Sequence, residues 1–129
     1  MQEAELKSTH LSGRLLEEFD FASCQYESIG MEIEVGPKGV DGSHIFSAFF
    51  VTPSCMADPA RAHHNMPAEW TDERKIIVSA IALKPIQDAL DSILEPSLAL
   101  GWPECIDRLR INLLWEYEGM EPVETHRRL

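Results

Sequence analysis

The stretch SIGMEIEVGPKGVDGSHIFSAFFVT, residues 28–52, joins two different apolar patterns through a run of turn residues. In its first part Ile29, Met31, Ile33 and Val35 fall on one side, and Gly30, Glu32 and Glu34 on the other. Alternation with period two marks a strand with one apolar and one solvated face. The last part, HIFSAFFVT (44–52), is rich in aromatic and β-branched residues and predicts a second, more completely buried strand. Between them stand Gly36, Pro37, Gly39 and Gly42. Glycine admits the positive φ of tight turns, while Pro37 fixes its own φ and cannot donate to a ladder. The stretch therefore reads as a hairpin.

A second reading competes at the turn, because Gly36-Pro37-Lys38-Gly39 sets a lysine between glycines, as phosphate-holding loops do. A phosphate loop of that type needs GxxxxGK[ST] running from a strand straight into a helix, whose N-terminus faces the anion. Here a strand follows, Lys38 precedes its glycine, and no Gly-Lys-Ser/Thr is present. The turn reading is the better one.

Outward from the hairpin, AELKSTHL (4–11) alternates loosely and suggests an edge strand, and LLEEFDF (15–21) a short helix or loop. Residues 52–74 hold three prolines and few periodic apolar residues, which predicts a long connection with a helical turn after Pro53 or Pro67. KIIVSAIA (75–82) reads as a buried strand. LKPIQDALDSILEP (83–96) changes period: Ile86, Ala89, Leu90, Ile93 and Leu94 form one helical stripe, with Pro85 in the first turn and Pro96 expected to end the helix. WPECIDRLRINL (102–113) predicts a second helix burying Ile106 and Leu109, and LLWEYEGM (113–120) a final strand. The sum is an α+β fold, a mostly antiparallel sheet with two helices packed on one face. One domain is expected over residues 1–120, with a mobile tail at 121–129.

The chain has 129 residues, is 44% hydrophobic and carries a formal charge of −11 from 22 acidic and 11 basic residues. Such an acidic surface repels nucleic-acid phosphates and anionic membranes and suits a basic partner. Cys24, Cys55 and Cys105 are odd in number and widely spaced, which fits free thiols in a reducing cytoplasm. The opening MQEAELKSTH lacks an apolar signal core, and no segment approaches ~18 uninterrupted apolar residues. A cytoplasmic protein is expected.

Sites for chemistry are sparse. His63 and His64, with Cys55, His10, His44 and His126, lack metal-ligand spacing, so neither a metal nor another cofactor is expected. Glu32 and Glu34 share a strand face about 7 Å apart. That spacing would suit a small hydrolase working by paired carboxylates, although the polar face is a poor place to raise a catalytic pKa. Each cysteine reads better as a small hydrophobe than as a nucleophile. The conspicuous feature is acid without base: Glu116, Glu118, Glu121 and Glu124 interleave with Trp115, Tyr117 and Met120, and no cation occurs from Leu113 to Thr125. An edge strand with a solvated side explains this pattern; so does an acidic face that steers toward a basic protein, which Glu17, Glu18, Asp20, Glu32 and Glu34 would extend if the strands were adjacent.

The order of AELKSTH, IEVGPKGVDGSHIFSAFFVTP, RKIIVS, GWPECIDRLR and LLWEYEGM resembles the immunity protein 8 family of bacterial polymorphic toxin systems, over roughly residues 4–120. After Thr52-Pro53 the chain departs from the family pattern, with Ser54-Cys55-Met56 in place of a tryptophan-leucine pair. The resemblance implies a small α+β protein, encoded beside a toxin, that binds the toxin domain and blocks it without catalysis or cofactor. It names no binding residues. The charge pattern points to Glu116, Glu118, Glu121, Trp115, Tyr117, Glu32 and Glu34 as the toxin-binding set, with Gly36, Pro37, Gly39 and Gly42 as the structural turn. The remaining alternatives are the carboxylate hydrolase and a sheet edge used for self-pairing.

Overall fold

The hairpin stands at the centre of the sheet in the computed structural model, which describes residues 2–11, 13–23, 27–57 and 74–117. Strand β3 (Ser28–Pro37) pairs antiparallel with β4 (His44–Val51), setting Ile29 opposite Phe50, Met31 opposite Ala48 and Ile33 opposite Phe46. Directly opposed residues share a face, so the apolar sets of both strands point the same way. Ile33 and Phe46 are wholly buried, each burial stabilising by about 1.5–3 kcal/mol.

Strand β1 (Ala4–Leu11) flanks β3, and the two-residue β2 (Arg14–Leu15) pairs only with His10 and Leu11. Most of β1 is thus an outer edge, as its loose alternation predicts. A bulge at Lys7 interrupts its register between Leu6 and Ser8, a device that discourages pairing with foreign strands. The segment after β2 makes two short 3₁₀ turns, Leu16–Glu18 and Phe21–Ser23.

A short helix, α1 (Pro53–Ala57), begins at Pro53, where its N-terminal turn was expected. The other edge of β4 is divided. Strand β5 (Lys75–Ile77) runs parallel to it at Phe49–Val51, and β6 (Leu114–Trp115) antiparallel at Phe46–Ser47. Ile77 pairs with Val51, the last residue of β4, so β5 has no partner strand beyond it, while β6 borders β5 on the Lys75 side. Residues 75–82 were expected as a buried strand; instead β5 is three residues long and Ile77 is 60% exposed, although Val78 just beyond is buried and donates to Val51 O.

The expectation of a final strand over residues 113–120, of which 118–120 lie outside the described residues, is corrected in the same way. The ladder ends at Trp115, and Glu116 and Tyr117 turn away. Glu116 N–H still donates to Ile45 O at 2.9 Å, but Ile45 N–H donates to Glu116 Oε2 at 2.8 Å. The carboxylate takes the position that the Glu116 carbonyl would hold in a continued antiparallel pair.

Helices α2 (Leu83–Leu98) and α3 (Cys105–Leu109) cover one sheet face, burying Ile86, Leu90, Leu94, Cys105 and Leu109 with Leu11, Ile33, Phe46 and Phe50. The fold is α+β, with a mostly antiparallel sheet. Ala89, Ile93 and Ile106 pack at the margin of this core. Pro96 does not end α2, which runs two residues further. An exposed proline in the last turn forfeits only the bond to the Ser92 carbonyl. Buried Ser97 holds that turn through Oγ–H donation to Ile93 O at 2.8 Å, and the chain then leaves through Gly101 at φ 82°.

The hairpin turn contains no room for an alternative at Gly36, where a Cβ would lie 2.4 Å from Gly42 O. Gly39 and Gly42 have φ of 76° and 109°. The turn is fastened to β1: Lys38 N–H donates to Glu3 O, Gly39 N–H to Glu5 Oε2, and Lys7 Nζ to Val40 O. The Gly39 amide, the type of donor that a phosphate loop would offer an anion, is thus directed at a carboxylate of the chain itself. Hydrogen bonds from Lys7 first, and from Gly39 next, hold the Glu5 carboxyl below its usual range.

Candidate partner-binding face

The sheet face opposite α2 and α3 is set out by register. One row across the strands is His10, Glu32, Ser47 and Leu114; the next is Ser8, Glu34 and Ile45, continued by Glu116 just past β6. Gly30 opposes Phe49 in a third row. A Cβ on Gly30 would lie 3.1 Å from Phe49 Cδ1 and Cε1, so the ring approaches the glycine closely. Above it opens a concavity of about 470 Å³, walled by His10, Gly13, Glu32 and Ser47 and floored by Gly30 and Phe49.

A small apolar cluster bounds this face. Phe49, Val51 and Cys55 bury against one another, with Leu114 packed on them. Helix α1 supplies Cys55, and Thr52 caps it by accepting from Cys55 N–H at 3.3 Å while donating to Glu27 Oε1 at 2.6 Å. Ser54 Oγ donates to the same Glu27 oxygen.

The sequence-derived set is distributed over three places. Glu32 is exposed, lines the concavity and makes no ion pair with any described residue. Glu34, in the neighbouring row, is half-buried and accepts from Ser43 Oγ at 2.9 Å. Glu116 is bound to the Ile45 amide as above. Trp115 and Tyr117 lie elsewhere: Trp115 opposes Phe46 on the helix-covered side and packs against the main core. Its Nε1–H donates to His44 Nδ1 at 3.1 Å, with the two rings stacked. Trp102 and Tyr117 meet His44 edge-on, and the Arg110 guanidinium sits 4.9 Å from the Trp115 ring centre. This aromatic group closes one end of the core. Glu118 and Glu121 lie outside the described residues.

His10, Ser47 and Phe49 are the residues that sequence reasoning did not join to Glu32. The pattern within β3 locates Glu32 on the polar face, but its neighbours depend on the β1–β3 and β3–β4 registers, which a single strand does not encode.

Glu32 stands in an open concavity and Glu34 is tied to a hydroxyl, so neither has the enclosed apolar setting that makes a carboxyl a general acid. Cys105 is wholly buried, and desolvation pushes its thiol up to about 11, which keeps it protonated and non-nucleophilic at neutral pH. Among the described residues no three His, Cys, Asp or Glu side chains gather as a metal site, and no helix is long and apolar enough to cross a membrane. His63, His64, His126 and Cys24 lie outside the described residues.

A family model described as Immunity protein 8 matches residues 4–120 of the chain. Neither a curated protein nor a solved structure matches it.

Proposed function

The chain belongs to the immunity protein 8 family, and from that premise we propose that it binds and neutralises a cognate toxin domain of a polymorphic toxin system, encoded by a neighbouring gene. It acts in the cytoplasm by protein–protein contact, without catalysis or cofactor. The observation that carries this reading is the family match across residues 4–120, which takes in every element of the sheet and both covering helices.

The contact surface is the sheet face bearing Glu32, Glu34 and Glu116. Its strands are fixed from behind by the helix-packed core, so little ordering entropy is lost when a partner lands on it. A standard interface covers roughly 800 Å² per partner, about a tenth of the 7820 Å² surface of this chain. That exceeds the concavity, so the neighbouring row through Ser8, Glu34 and Ile45 takes part. The formal charge of −11 favours a toxin with a basic surface, such as a nuclease, and raises the association rate more than the final affinity. Blocking follows from masking the surface by which the toxin meets its substrate.

The test is a calorimetric titration of the purified chain into an inactive variant of the C-terminal toxin domain encoded next to it. One-to-one saturable binding is expected; no heat and no co-elution would reject the assignment. Growth rescue of cells expressing the active toxin domain provides the functional counterpart.

A further inference from the structure

The concavity beside Glu32, toward one end of the sheet, combines features that ordinary strand surfaces do not. A glycine, Gly30, stands within the interior strand β3, where it weakens the strand and often marks the close approach of another group. The ring opposite approaches that glycine closely, and about 470 Å³ lies open above it. One wall is an exposed carboxylate that makes no ion pair with any described residue, although the same strand's Glu34 has a hydroxyl partner and Glu5 on β1 has Lys7 and Gly39. The facing wall is the Ser47 hydroxyl, cross-strand from Glu32, and His10 flanks the carboxylate from β1. Ser8 Oγ lies 3.5 Å from His10 Nδ1.

Resting on the immunity reading above, we propose that this concavity is the anchoring pocket for one arginine side chain of the toxin domain. The guanidinium is planar and multiply donating, and it retains its charge in every relevant condition. Glu32 Oε atoms receive two of its N–H groups, Ser47 Oγ accepts a third, and the side-chain stem lies along the Gly30–Phe49 floor. A carboxylate whose cross-strand partners are a hydroxyl and an imidazole is matched in charge by that group and by no neutral side chain. The lone pairs of Glu32 that water satisfies in the free protein become paired with a fixed fork, and the insertion fixes register for the wider acidic surface.

Two experiments test the pocket separately from the function. In the first, ¹⁵N-labelled protein is titrated with N-acetyl-argininamide, and with its citrulline analogue as the uncharged control. The arginine compound shifts the amides of Gly30, Glu32 and Ser47 saturably, citrulline does not, and Glu32→Gln removes the effect. Shifts scattered equally over Asp88 and Asp91 of α2, or none, overturn the proposal. In the second, the full chain binds the inactive toxin domain. Glu32→Gln, and Ser47→Trp as a charge-neutral filling of the pocket, each weaken binding by roughly 30-fold or more, the scale for losing one partner of an interfacial charge pair. Asp91→Asn leaves it within about twofold, as a distant surface charge should. Tight wild-type binding that both pocket variants preserve overturns the arginine pocket and leaves the immunity reading intact. Absence of wild-type binding alongside a positive ¹⁵N titration does the reverse. A wild-type dimer dissolved by Ser47→Trp would assign the face to a second copy of the chain and likewise overturn the proposal.

Discussion

The two faces of the sheet are built from the same three long strands and have opposite economies. On the covered face, Leu11, Ile33, Phe46 and Phe50 are wholly buried against α2 and α3. On the other, Glu32 is exposed, Glu34 and Ser47 are half-buried, and Gly30 leaves a hollow. Alternation with period two lets one strand hold the fold together with its odd-numbered residues and present chemistry with its even-numbered ones. Stability and recognition are thereby separated residue by residue, and substitutions should reveal that separation.

The largest effect is expected on the covered face. Phe46→Ala removes a wholly buried ring and should cost about 3–5 kcal/mol, seen as a lower denaturant midpoint, while the folded fraction still binds the toxin domain. Next is Gly36→Ala, whose Cβ would meet Gly42 O at 2.4 Å. The turn must open, at a cost of about 1–3 kcal/mol, and a fall in thermal midpoint measures it. Trp115→Phe keeps an aromatic ring but leaves His44 Nδ1 without its indole donor, which should cost about 1–2 kcal/mol; a denaturant titration resolves that loss. Smallest is Glu32→Gln, where an exposed carboxylate is replaced by its isostere and stability should change by under about 0.5 kcal/mol. Its effect belongs in binding instead. A Glu32→Gln protein with a lowered midpoint would break the separation between the faces.

Acid should act on the turn before the core. Hydrogen bonds from Lys7 and Gly39 lower the folded-state pKa of Glu5, so its contribution is present above the unfolded value and is lost as pH falls through the folded one. Amide exchange at Gly39 is expected to accelerate, relative to its intrinsic rate, on acidification below the ordinary carboxylate range, with Glu5→Gln removing that dependence.

Much of the covered face was legible in the sequence, because period is a local property. Ile29, Met31, Ile33 and Val35 declared the strand, Ile86, Leu90 and Leu94 the helix, and Gly36, Gly39 and Gly42 the turn. What was not legible depended on competition between distant segments. KIIVSAIA is apolar enough for a full strand, yet β5 stops at Ile77 because β4, to which it runs parallel, ends at the paired Val51. LLWEYEGM alternates well, yet its ladder ends at Trp115 because Glu116 closes it with a side chain. Charge pattern placed Trp115 and Glu32 in one set, and register puts them on opposite sides of the sheet.

That division also ranks the acidic residues for testing. Glu116 holds the Ile45 amide, so Glu116→Lys disturbs the sheet as well as the charge, whereas Glu32→Lys alters charge alone. Slower association at low salt with an unchanged thermal midpoint is expected for the latter.

The most direct test of the account is cross-saturation transfer from the inactive toxin domain to the deuterated, ¹⁵N-labelled chain in their complex. Attenuation centred on Gly30, Glu32, Ser47 and their row neighbours Glu34 and Ile45 is the predicted result. Attenuation confined to α2 and α3 would contradict it and place recognition on the helical side.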